Sequence, residues 1–135
     1  MKKVLTVGVF DYFHLGHLRL FQNAKQLGDY LIVAVQDSDH VHKTKPEAEL
    51  LYTTEQRMEI IRGLRVVDEV MIYQDVDTLL PAVTFDLFVK GPDQIHPGFL
   101  RAVKWCDQNG KEVVVLPRTP GISSSYVKHH LKELR

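Results

Sequence analysis

The stretch Val4-Leu5-Thr6-Val7-Gly8-Val9-Phe10-Asp11-Tyr12-Phe13-His14-Leu15-Gly16-His17 decides how this chain reads. Its first half is an apolar run closed by a glycine, the pattern of a buried strand. Beyond His17, Leu18, Leu20, Phe21, Ala24 and Leu27 fall at helical spacing; Gly28 marks the stop, with Lys25 in the last turn. Two histidines three residues apart therefore sit where a strand hands over to a helix. A helix's first turn has N–H groups with no internal partner and the positive end of the dipole, so it suits phosphate. Gly16 removes a side chain at the closest approach, and His17 lies one turn from His14, so both imidazoles can face one anion. Such a pair also occurs as plain core or surface residues. As a metal site it would need further ligands, and the single cysteine, Cys106, offers no zinc pattern.

The 135 residues are read as one domain, 1–135, long enough for a full core. Seventeen basic residues balance seventeen acidic ones. No global field draws such a chain to nucleic acid or a membrane, and any anion site must be local. No apolar run approaches the roughly 18 residues that span a bilayer. The N-terminus is two lysines and a strand pattern, without a signal-like apolar segment. One cysteine forms no internal disulfide, and a cytoplasmic location is expected.

Residues 30–35 read as a second strand, apolar on both faces as parallel sheets require, completing a βαβ unit. Between Gln36 and Tyr52 the apolar pattern lapses. A polar, mobile loop carrying Lys43 and Lys45 is expected there, with His40 and His42 on the surface. Thr53 and Gln56 fit a capping box for the next helix. Met58, Ile61 and Leu64 of that helix face the core, with Arg57 and Arg65 projecting elsewhere. Residues 66–73 carry the third strand, 77–83 a short helix, 86–90 the fourth strand, 96–109 a helix and 111–116 the fifth strand. A final helix covers 126–131. Alternating strands and helices predict an α/β, Rossmann-like, three-layer α/β/α domain on a five-stranded parallel sheet.

Two motifs frame this layout. The first is Gly8-x-Phe10-Asp11-x-x-His14-x-Gly16-His17. The second, after Pro117, is Arg118-Thr119-Pro120-Gly121-Ile122-Ser123-Ser124-Ser125. Arg118 offers phosphate a planar fork of donors. Thr119 and Ser123 offer hydroxyls, Gly121 allows close backbone approach, and the serine run can cap a helix. His-x-Gly-His and Arg-Thr-x-Gly-Ile-Ser closely resemble the two signatures of the cytidylyltransferase family, within the His-x-Gly-His nucleotidyltransferases. The resemblance covers essentially the whole chain and is strongest to the family's bacterial glycerol-phosphate members.

That resemblance implies an enzyme transferring CMP from CTP, with Mg²⁺, to a phosphorylated alcohol, foremost sn-glycerol 3-phosphate, giving CDP-glycerol and pyrophosphate. It implies His14, His17, Lys45 and Arg118 as the catalytic groups. Gly8, Val9, Phe10, Asp11, Gly16, Asp93, Thr119, Gly121, Ile122 and Ser123 would join them around the nucleotide. Lys43 and Arg65 would meet the acceptor, no protein side chain would bind the metal directly, and a homodimer is expected. Contact with phosphate would keep the histidines charged. Plainer readings stand beside these: a solvated loop for Lys43 and Lys45, a local ion pair for Arg65 with Asp68, and turn chemistry for Asp93. Departures at Gln36, Pro92 and Gln94, and the absence of a basic residue over 73–81, bear on the acceptor. An adenylyltransferase making an ADP-sugar, FAD or dephospho-coenzyme A is one alternative, opposed by Arg118-Thr119. An inactive nucleotide-binding module is another, opposed by the intact His14, Gly16, His17 and Arg118.

Overall fold

A computed structural model describes residues 1–133. Five strands, β1 (Lys3–Gly8), β2 (Tyr30–Gln36), β3 (Glu69–Tyr73), β4 (Leu87–Lys90) and β5 (Glu112–Val115), form one sheet in the order β3-β2-β1-β4-β5. All neighbours are parallel, with Gly8 opposite Val35, Val35 opposite Ile72, Thr6 opposite Val89 and Val89 opposite Val114. The helices are α1 (Leu15–Lys25), α2 (Ser38–Thr44), α3 (Thr54–Arg62), α4 (Val76–Leu79), α5 (Pro97–Gln108) and α6 (Ser124–Glu133). A 3₁₀ turn, Leu80–Ala82, continues α4.

The central strands are apolar in both directions because both faces are covered. On one face Val4, Leu31, Val33 and Val89 pack against Phe21 and Ala24 of α1 and Met58 and Ile61 of α3. On the other, Leu5, Val7, Ile32 and Phe88 pack against Val76, Leu80, Phe99, Ala102 and Cys106. Right-handed crossovers dictate this division. The chain winds from β1 outward to β3, then returns to the far side of β1 for β4 and β5. The strand order therefore reverses between β1 and β4, and ligands gather at the carboxyl ends of strands at such a point.

The three-layer α/β/α prediction holds, and Thr53 and Gln56 form the expected capping box. One expectation fails: residues 38–44 are helical rather than a mobile loop. Periodicity could not signal a single apolar residue, Val41, that turns inward and is 5% exposed. Among the described residues, no helix is long and apolar enough to cross a membrane.

Candidate active site

His14 is the N-cap of α1. Its Nδ1 accepts a hydrogen bond from Gly16 N–H at 3.0 Å, and Nδ1 of His17 accepts from His14 N–H at 3.3 Å. The two imidazoles thus form a reciprocal capping box, a role usually filled by Ser or Thr with Glu or Gln. The rings stack with centroids 3.8 Å apart. Phe10 meets His17 edge-on at 5.5 Å, and Phe13 lies tilted against it, also at 5.5 Å. Phe10 and Tyr12 hold φ of 55° and 51°, a left-handed conformation costing a non-glycine residue roughly 1–3 kcal/mol. The bend delivers His14 to the helix start.

Because each Nδ1 accepts from a backbone N–H, each neutral ring carries its proton on Nε2. Burial, then the charge of Arg118, holds the His14 pKa below its ordinary value. Burial, then His14, pushes His17 down to about 3. Without a ligand both rings are therefore held neutral, because protonating either Nδ1 would break its cap. The pair is built as two neutral Nε2–H donors.

These rings line a cleft of about 430 Å³ at the switch point. The ends of β1 and β4 supply its floor through Gly8, Val9, Gly91, Asp93 and Gln94. The second motif forms the facing wall, with Arg118, Thr119, Ile122, Ser123, Ser124 and Ser125. Gly121 stands outside the lining; its φ of 79° makes the turn that precedes Ile122. Ser123 Oγ accepts from Tyr126 N–H at 3.0 Å, capping α6. Arg118 and Asp93 approach to 3.9 Å. Both are more than half exposed, so this loose pair leaves the guanidinium available to an anion. Lys45, just past the end of α2, also reaches the cleft.

Phe10, Gly16, His14 and His17 join the same lining, so most of the expected site residues converge. Three do not. Asp11 is buried with both carboxylate oxygens engaged, accepting from Leu51 N–H at 2.6 Å and Tyr52 N–H at 3.1 Å. It pins the loop after α2. Lys43 is exposed on α2, outside the cleft lining. Arg65 precedes β3, at the amino end of the sheet, a strand's length from the cleft at the carboxyl end. The ion pair anticipated between Arg65 and Asp68 is also redrawn: Asp68 pairs with Lys25 and accepts from Leu31 N–H at 2.8 Å. Sequence reasoning missed eight lining residues, among them Gln94, Leu116, Pro117, Ser124 and Ser125. The unbroken serine run was the only available signal for the last two.

Arg57 corrects the sequence reading in another way. Expected to project elsewhere, it is 1% exposed and reaches the ends of β1 and β2 beneath the cleft. Among the described residues, no three His, Cys, Asp or Glu side chains are placed to hold a metal ion.

The sequence model of a family described as cytidylyltransferase-like matches residues 5–130. Glycerol-3-phosphate cytidylyltransferase of Bacillus subtilis is 39% identical over 138 residues, covering 99% of this chain and 100% of that protein. The bifunctional protein HldE of Haemophilus influenzae is 37% identical over 137 residues, which are 99% of this chain but only 28% of that protein. Among solved structures, the lipopolysaccharide core biosynthesis protein from Thermoplasma volcanium aligns with a TM-score of 0.72 at 26% identity. That match covers 88% of this chain and 97% of the other.

Proposed function

This chain belongs to the cytidylyltransferase-like family of nucleotidyltransferases, and from that premise we propose that it transfers CMP from MgCTP to a phosphorylated alcohol, foremost sn-glycerol 3-phosphate. An oxygen of the acceptor's phosphate attacks the α-phosphorus of CTP. The bond from that phosphorus to the bridging oxygen breaks in line, and pyrophosphate leaves with the electron pair. The products are CDP-glycerol and pyrophosphate. The attacking phosphate is already anionic at neutral pH, so no general base is required. Catalysis reduces to orientation and to stabilising charge on the transferring group.

One observation carries the reading. His14 and His17 have their Nδ1 atoms tied to backbone N–H groups, which leaves two Nε2–H donors at a helix start opposite Arg118. Donors fixed before the substrate arrives need no reorganisation as charge develops. Arg118 and Lys45 supply positive charge to the remaining phosphate oxygens, and Mg²⁺ arrives as part of the nucleotide substrate. The Arg118-Thr119 pair and the full-length similarity to a glycerol-3-phosphate cytidylyltransferase support CTP and this acceptor.

The test is pyrophosphate release measured with each of four NTPs against a panel of phosphorylated alcohols and sugars. CTP is expected to exceed ATP by at least about a hundredfold in kcat/KM, or roughly 3 kcal/mol of transition-state discrimination. Equal or better turnover with ATP would replace this assignment with adenylyl transfer. Turnover of CTP with another alcohol phosphate would correct the acceptor alone.

A further inference from the structure

Arg57 is buried under the cleft, and the mechanism above gives it nothing to do. Its Nη1 donates to the carbonyls of Val9 and Gln36, each at 2.8 Å, where β1 and β2 end. Its Nη2 donates to Ser38 Oγ at 2.6 Å and Thr54 Oγ1 at 3.3 Å. Its Nε donates to the Tyr52 carbonyl at 3.4 Å. A guanidinium has five N–H donors in a rigid fork, and here every donor is used. Yet its partners are all neutral, and the charges of Asp11 and Asp37 act on it only from beyond direct contact. Burying a charge among neutral dipoles costs stability relative to an apolar residue of similar volume. Stability alone does not account for an arginine here.

What the fork joins suggests its use. Ser38 opens α2, and Lys45 follows its last turn, with Lys45 N–H donating to the Val41 carbonyl at 2.8 Å. A seven-residue helix is a rigid rod about 10 Å long, so its anchorage at Ser38 sets where Lys45 stands. Tyr52 closes the loop that returns from Lys45. Both ends of the segment carrying Lys45 therefore meet on one side chain, which also holds Val9 in the cleft floor.

We propose that Arg57 is a positioning residue that fixes Lys45 against a phosphate bound in the cleft. The proposal rests on reading the cleft as a phosphate site. Its test combines a double-mutant cycle with amide hydrogen exchange. Arg57→Lys keeps the charge but loses the fork. It should lower kcat/KM by about a hundredfold through misplacement. Lys45→Ala should be costly in the wild type but lower activity only a few-fold further in the Arg57→Lys background, because both changes remove one effect. Exchange should quicken for the amides of residues 41–45 while those of α5 keep wild-type protection. Should Arg57→Lys fail to fold, Ser38→Ala removes a single acceptor of the fork and is expected to act in the same direction. Fully additive kinetic losses, or exchange quickened equally in α2 and α5, would overturn the proposal and leave Arg57 a general structural residue. If the wild-type protein turned over no nucleotide, the proposed function would fail instead. The exchange arm would then decide alone, with unchanged protection of residues 41–45 overturning the positioning role.

Discussion

Ser124 donates its hydroxyl to the backbone carbonyl of Asp11 at 3.0 Å, joining residues 113 positions apart. The bond ties the closing motif to the bend that presents His14. Ser124→Ala should cost about 1 kcal/mol, the usual net worth of one hydrogen bond, or roughly 3–5 °C in Tm for a domain of this size. It should also raise KM for the nucleotide, since both walls of the cleft would loosen together. Ser125→Ala, with no such bond, serves as the thermal control. Equal Tm values for the two variants would show that the bond does not hold the cleft together.

Gly16 is constrained by its neighbour as well as by any ligand. A Cβ at position 16 would stand 2.8 Å from Cε1 and 3.0 Å from Nδ1 of His14. The imidazole would have to leave its cap. Gly16→Ala should therefore lose about 1 kcal/mol of helix capping and, with it, the aim of the His14 Nε2–H. A large fall in kcat beside a small fall in Tm is the expected outcome; wild-type kcat would show that the cap does not aim the ring.

The lowered histidine pKa values make stability depend on pH in a definite sense. Above the ordinary value of 6.5, His14 and His17 are neutral in both folded and unfolded chains and contribute no slope. Between 6.5 and about 3 the unfolded chain binds a proton at position 17 that the folded chain refuses, so stability falls as the pH falls. Thermal melts from pH 7.5 to 4.5 should show a steeper decline for wild type than for His17→Gln. His96, whose pKa is also lowered, first by burial, contributes alike to both proteins and cancels. Parallel declines would mean that His17 is not held neutral.

The apolar strands at 4–7 and 31–35 and the two motifs made the sheet and most of the cleft legible in the sequence, because burial on both faces and fixed motif spacing leave a linear trace. Where charge and burial part company, the trace disappears. Arg57 reads as a solvent residue on an amphipathic helix, and only the folded carbonyls of Val9, Gln36 and Tyr52 explain why it turns inward. Asp11 stands within a nucleotide-binding motif but spends both oxygens on Leu51 and Tyr52, forty positions away. Arg65 and Asp68 are three residues apart in sequence, yet the corner places Lys25 of α1 against Asp68 instead. Long-range partners decide all three, and a single sequence does not encode them locally.

The last prediction separates chemistry from scaffolding in the histidine pair. His17 is both a candidate donor to the transferring phosphoryl group and half of the capping box. If its Nε2–H stabilises charge that develops in the transition state, His17→Ala should lower kcat far more than it raises KM for CTP. Losing one such donor typically costs about a hundred- to a thousandfold, or roughly 3–4 kcal/mol. A contact made equally in ground and transition states would appear in KM alone. His17→Gln supplies the control for capping, because glutamine at this position can accept the N-cap N–H in the same reciprocal box. It should recover the melting temperature lost by the alanine variant without recovering kcat. The double variant with His14→Ala should lose less than the two single losses combined, since both rings serve one phosphate. Steady-state kinetics of the folded variants decides the matter: a His17→Ala kcat within a few-fold of wild type, or a kcat restored by His17→Gln, would reduce the pair to a helix cap and remove the proposed mechanism.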